Sequence, residues 1–211
     1  MTRFKFYALW LSLICIGMFV LQNLINGFTD TMLLTPEAIP QFWRFLSAIF
    51  AHGSLVHLLY NLFALALFGS ILEKIIGSRK FLLVFFASGI FANIIAVNFY
   101  SASLGASGAV YGILGALTIM RPGMFVWAFG FPMPMFLAAL FWIAGGVLGL
   151  FMPSQTGHIA HLSGIAVGFI LGIFFKALRK QRRFRREAVI EAGEPSEADM
   201  RRWEQSYMLH R

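Results

Sequence analysis

Apolar residues run in long blocks along this chain, and polar or charged residues gather between the blocks. Blocks of this length predict helices that cross a bilayer, which needs about 20 apolar residues per span. Six are expected, over about 7–27, 53–72, 81–100, 107–120, 135–151 and 158–175. The fourth holds about 14 residues. A span that short has to start below the surface or sit in a thinned bilayer. The apolar stretch Gly123–Phe136 contains Pro132 and Pro134 and reads as a connection near the interface. The first run, Tyr7 to about Gly27, is too long for a secretory signal and lacks a small-x-small cleavage site, so it reads as a retained helix.

Composition sharpens this picture. The chain has 211 residues, 59% hydrophobic and only 12% charged, with mean hydropathy +0.75. Soluble domains carry roughly 25% charged residues. Between Lys80 and Lys176 the only charged side chain is Arg121. The single cysteine, Cys15, lies in the first apolar block, so no disulfide framework is available.

Charge then orients the spans. With both termini in the cytoplasm, Arg3, Lys5, Lys74, Arg79, Lys80, Arg121 and the Lys176–Arg186 cluster share that side, and the other side holds Arg44, Asp30 and Glu37. That asymmetry is the positive-inside pattern. The net charge of +8 therefore reflects topology and anionic lipid, with no call for nucleic acid. The loop 28–52 carries Phe42, Trp43, Phe45 and Leu46 and should lie partly in the interface. After Arg186 the chain turns acidic, with Gly193 and Pro195 interrupting any helix and a short helix expected after Ser196. Two regions follow: a membrane domain over 1–178 and a basic-then-acidic cytoplasmic tail over 179–211.

Polar groups inside a bilayer are costly and need a reason. Four that fall within or at the ends of the spans carry the argument: His57, Asn61, Ser107 and His161. Counted from the cytoplasmic ends of their helices, Ser107 sits roughly 21 Å deep, His161 roughly 22 Å and Asn61 roughly 20 Å. His57 lies one turn above Asn61 on the same face. The sixth span carries Gly164, Gly168 and Gly172 at four-residue spacing, a small-residue stripe that permits close helix approach. His161 falls about 20° from the centre of that stripe, His158 about 80°. The fourth span offers Gly108, Gly112 and Gly115 for the same contact. Packing one stripe on the other would bring Ser107 to His161, the pairing a serine nucleophile needs with its base. The helix start at Ser107 presents free N–H groups for a developing negative charge, with His57 and Asn61 as further donors. No carboxylate stands near the histidine, so the expected site is a dyad, with Tyr111 as a ring for the imidazole to rest on.

These residues resemble a known family. Trp43-Arg44, His57-x-x-x-Asn61, Glu73-Lys74 with Gly77-Ser78, Gly105-x-Ser107-Gly108 with Tyr111, and Ala160-His161-x-x-Gly164-x-x-x-Gly168 are similar, in order and spacing, to the rhomboid intramembrane serine proteases of the compact bacterial six-helix type. The resemblance spans residues 43 to 172. It implies an all-α integral membrane protein, a compact six-helix bundle with both termini cytoplasmic. It implies that Ser107 is the nucleophile, that His161 is the general base, and that His57, Asn61 and the Ser107 backbone N–H form the oxyanion hole. Tyr111, Gly105, Gly108, Gly164 and Gly168 support them. The substrates implied are transmembrane proteins, cut without cofactor or metal. The place implied is a bacterial inner membrane, with the site opening to the non-cytoplasmic side. The fifth helix and the cap around Met152–Gly157 would resemble the family's substrate gate.

Blander readings stand beside these. A lone intramembrane serine usually bonds back to its own helix. A lone histidine is more often a packing residue, and His158 is read as structural or gate-lining. His52, His57, His158 and His161 together raise a rival, a metal site in a transporter, but no carboxylate or thiolate accompanies them and no HEXXH is present. A catalytically inactive rhomboid-like binder of transmembrane helices is the other alternative, and it would lack the nucleophile or the base. Glu73 and Lys74 are assigned a structural part at a helix end, and Arg44 an ordering of the first loop or a lipid contact.

Overall fold

The computed structural model describes residues 4–152, 156–191 and 197–207. Residues up to Phe174 form one compact unit, and those from Phe175 onward form a second. Four helices in the described residues are long and apolar enough to cross a membrane: Tyr7–Leu24, Leu55–Ile76, Ser78–Ala96 and His158–Phe184. Two more, Ser107–Met120 and Met135–Gly149, are equally apolar but shorter.

The chain enters through α1 (Tyr7–Leu24), which ends where Gly27 turns with a left-handed φ of 78°. This helix is three residues shorter than the apolar run suggested, because Ile25 is extended and Gly27 starts a new turn. The long first loop is not featureless. It contains α2 (Phe28–Met32), a 3-10 turn at Pro36–Ala38 and α3 (Arg44–Ser47). Arg44 holds it together, donating to the Gln41 side chain at 2.6 Å and to the carbonyls of Leu33 (2.7 Å) and Asp30.

The next rod runs unbroken from Leu55 to Ile76. It is made of α4 (Leu55–Ala64), a π turn at Leu65–Gly69 and α5 (Ser70–Ile76). Ser54 starts it as an N-cap, its hydroxyl accepting from the His57 N–H at 3.1 Å. The rod continues four residues past the expected end at 72, through Glu73. That carboxylate is fully buried and accepts from the backbone N–H groups of Tyr7 (3.2 Å) and Ala8 (3.1 Å) and from Ser78 Oγ (2.6 Å). A charge from one helix thus satisfies the free donors at the start of another. Gly77, at φ 86° and ψ 153°, reverses the chain directly into α6 (Ser78–Ala96).

At the centre lies α7 (Ser107–Met120). Ten of its 14 residues are buried, so it is walled by protein rather than lipid, which explains how so short a helix is accommodated. Its small residues set the packing on both sides. A Cβ at Gly108 would lie 2.5 Å from Ala92 of α6, and one at Gly112 would overlap Ser88. Across the bundle, α9 (His158–Glu191) presses its glycine stripe on α7. A Cβ at Gly164 or Gly168 would overlap the carbonyl oxygen of Gly108 or Gly112 respectively.

The stretch 123–136, read from the sequence as a connection near the interface, has regular structure of its own. It folds as a hairpin of β1 (Phe125–Ala128) and β2 (Phe131–Pro134), paired antiparallel, followed by α8 (Met135–Gly149). Phe129 and Gly130 both have positive φ, 54° and 89°, the two-residue turn whose twist suits a hairpin. Alternation of apolar and polar residues, the usual strand signal, is missing because both faces meet apolar surroundings. In the tail, α10 (Glu197–Tyr207) forms where a short helix was expected after Ser196, while Gly193 and Pro195 lie outside the described residues.

Candidate functional site

Ser107 opens α7, directly after Ala106 at the N-cap, and its backbone N–H is one of the donors left free by helix geometry. The first intrahelical bond is the one from the Val110 N–H to the Ala106 carbonyl, at 2.9 Å. Backbone bonds hold the approach to this serine. Leu34 and Ser103 exchange N–H to carbonyl bonds at 3.1 and 2.8 Å, and the Gly105 N–H reaches the Ala48 carbonyl at 2.8 Å. Asn93, a polar residue inside α6, ties both segments by donating to the Phe45 carbonyl (2.9 Å) and accepting from Ser103 Oγ (3.2 Å). The first loop is therefore a brace for the serine turn.

His161 stands on the first turns of α9. Its Nε2 lies 2.7 Å from Ser107 Oγ, hydrogen-bond distance for a hydroxyl donating to a ring nitrogen. Its ring stacks on Tyr111, one turn along α7 from the serine, with centroids 4.3 Å apart and planes 10° from parallel. The imidazole is thus oriented by a ring and by the glycine contact between the two helices. His158 meets the His161 ring edge-on at 6.3 Å and fills the space beside Gly149 of α8.

His57 and Asn61 sit on α4 one turn apart. The Asn61 amide donates to the His57 carbonyl at 2.9 Å. The His57 ring rests against Gly105, where a Cβ would come within 2.6 Å of Cε1; the φ of +121° at Gly105 likewise favours glycine. Ser107, His161, Tyr111, His57, Asn61, Gly105 and Gly108 all line one cavity of about 980 Å³. Gly164 and Gly168 do not line it and act through the contact between α7 and α9.

Two neighbours had no part in the dyad as read from the sequence, where His52 entered only the rival metal-site reading and Tyr100 none. His52 lies 5.1 Å from the His57 ring, and Gln22 of α1 clamps its backbone, accepting from the His52 N–H (3.0 Å) and donating to its carbonyl (3.3 Å). Burial, with the neighbouring His57, pushes His52 down to about 4, so it is neutral at physiological pH. Tyr100 accepts from the Ile159 N–H at 3.0 Å and so caps the helix that bears His161. Gln22 and Asn93 were visible as polar residues in apolar spans, the signal that singled out Asn61. Tyr100 sat unremarked at a span end.

The family description "Rhomboid domain" matches residues 40–177. The chain is 31% identical over 181 residues to the rhomboid protease GlpG of Haemophilus influenzae, covering 82% of this chain and 92% of that one. It is 32% identical over 150 residues to the putative rhomboid protease YdcA of Bacillus subtilis, covering 68% and 72%. It is 30% identical over 171 residues to the mitochondrial rhomboid protein 1 of Saccharomyces cerevisiae, covering 74% and 49%.

Proposed function

The chain belongs to the rhomboid family, and from that premise we propose that it is an intramembrane serine endopeptidase acting on transmembrane proteins. The observation that carries the reading is the 2.7 Å approach of Ser107 Oγ to His161 Nε2 in a cavity among apolar helices. A hydroxyl is a weak nucleophile until a base accepts its proton. Ser107 Oγ attacks the scissile carbonyl carbon as its proton passes to His161 Nε2. The tetrahedral oxyanion receives the Ser107 N–H, with the side chains of His57 and Asn61 turned toward it as further donors. His161 then gives its proton to the leaving amine, and the C–N bond breaks to leave an acyl-serine. Water, deprotonated by the same histidine, hydrolyses that ester and restores the serine. One N–H of the Asn61 amide is held by the His57 carbonyl in this structure, which leaves the second N–H for the oxyanion.

The topology belongs to the same proposal. All six apolar helices cross the membrane, both termini are cytoplasmic, and the site opens on the far side of a bacterial inner membrane. Residues 1–178 form the proteolytic domain and 179–211 a cytoplasmic tail. Labelling of the purified protein with a fluorophosphonate tests the reading. Wild type is expected to react, with Ser107→Ala unlabelled and His161→Ala reduced by at least about a hundredfold, the usual scale of a general base. A folded wild type that neither labels nor cleaves would overturn it in favour of a helix-binding protein.

A further inference from the structure

The hairpin between α7 and α8 has two edges, and they are built differently. Its register pairs Phe125 with Pro134, Val126 with Met133, Trp127 with Pro132 and Ala128 with Phe131. Just beyond it, the Met135 N–H donates to the Met124 carbonyl at 2.8 Å. Antiparallel pairs alternate between those that exchange hydrogen bonds and those whose polar groups point outward. Counting back from Met124, the bonded pairs are 124–135, 126–133 and 128–131. The outward-pointing positions are therefore Phe125 and Trp127 on β1, and Pro132 and Pro134 on β2.

Proline has no N–H, so both donors are missing from the β2 edge. The β1 edge has no such protection. Its outward N–H and C=O groups at Phe125 and Trp127 find no partner among the described residues. Unpaired backbone at membrane depth is tolerated only where it lines a cavity or meets a partner. Of the two outward positions on β1, Trp127 lines a cavity and Phe125 does not. Trp127, Ala128 and Phe129 contribute to the cavity that holds Ser107 and His161, which Ala64 and Phe68 of the Leu55–Ile76 rod also line, whereas no β2 residue does. Phe68 and Phe129 both approach Trp142 of α8, each at 6.0 Å between ring centroids. Phe68 lies seven residues from Asn61, so this end of the cavity sits about 10 Å along the rod from Asn61.

We propose that the β1 edge is a strand-docking subsite, on which an unwound segment of a transmembrane substrate adds as a third strand. The inference rests on the proteolytic reading above. Attack on a peptide carbonyl requires that carbonyl to leave its helix, and unwinding frees its neighbours' N–H and C=O groups in apolar surroundings. Those groups and the β1 edge are complementary. The two outward positions, two residues apart, match alternate residues of an extended chain. A substrate that stays helical bonds to itself and has nothing to offer the edge, so docking here selects segments that unwind.

The test uses the full-length protein and a reporter in which one leucine- and alanine-rich transmembrane segment, interrupted by Gly-Pro, joins two soluble domains. Trp127→Pro deletes the outward N–H while sparing the bonded pairs of the ladder. Its reporter cleavage is expected to fall about tenfold relative to fluorophosphonate labelling of the same sample, the scale of one hydrogen bond. Trp127→Ala, which keeps the N–H, should recover most of that loss. Equal cleavage by the proline and alanine variants would overturn the subsite. A wild type that labels but does not cut the reporter would overturn it too, whereas a wild type that does not label sinks the proteolytic reading itself. Should the proline variant lose labelling, cross-linking decides. A Cys15→Ser, Ser107→Ala, Trp127→Cys protein is offered the reporter with single cysteines moved along its segment. Bridges at every second position support a docked strand. Bridges at helical spacing, none at all, or bridges between two copies of the protein rule it out.

Discussion

Glu73 shows how one side chain can hold two helices. It is fully buried, and it accepts from two backbone N–H groups of α1 and from Ser78. Hydrogen bonds to a charged group contribute more than neutral ones, and a buried donor left without a partner carries the full desolvation cost. Glu73→Ala is expected to destabilise the protein by about 1.5–3 kcal/mol, measured as a lower thermal unfolding midpoint in detergent. Glu73→Gln, which keeps an acceptor oxygen, should lose less. The same residue marks a limit of sequence reading. A charged pair at the end of an apolar block reads as a boundary, and nothing local says that the carboxylate turns inward to a helix more than 60 residues away. Ser107 and His161 were easier to find, because a polar residue deep in an apolar span is costly enough to demand a use.

At the scale of elements, the contact of α7 with α9 places the serine against the histidine. Glycine at 164 and 168 lets the helices approach until backbone meets backbone. Gly168→Ala would set a methyl group against the Gly112 carbonyl, and the helices must separate to admit it. The expected outcome is a destabilisation of about 1–3 kcal/mol together with slower fluorophosphonate labelling, since the Ser107–His161 distance opens. Gly145→Ala on α8 is the control. No atom lies within 4 Å of its added Cβ, so stability should hold or rise slightly, as alanine favours helix. This stripe was legible from four-residue spacing alone. The hairpin was not. Its residues are apolar on both faces, and two prolines argue against a strand until the register shows them on an outward edge, where an N–H is dispensable.

At the scale of the molecule, the distribution of basic residues carries the orientation. Two cysteine variants in a Cys15→Ser background test it with a membrane-impermeant maleimide. Glu37→Cys should react in intact spheroplasts, and Gln181→Cys only after the membrane is breached. The opposite pattern would invert the topology and place the site on the cytoplasmic side.

The sequence by itself determined the solvent, the helical class and which polar residues stand within the apolar spans. Each rests on a cost that is local in the chain: a charge or a polar group in lipid is expensive wherever the segment ends up. The tertiary structure decided what depends on partners remote in sequence. It turned Glu73 inward to α1, braced the serine turn with Asn93 and the first loop, capped α9 with Tyr100, and folded 123–136 into a hairpin along the cavity. These are pairings, and a pairing has no signature in either partner alone, since the donor's need for an acceptor does not say which acceptor will meet it.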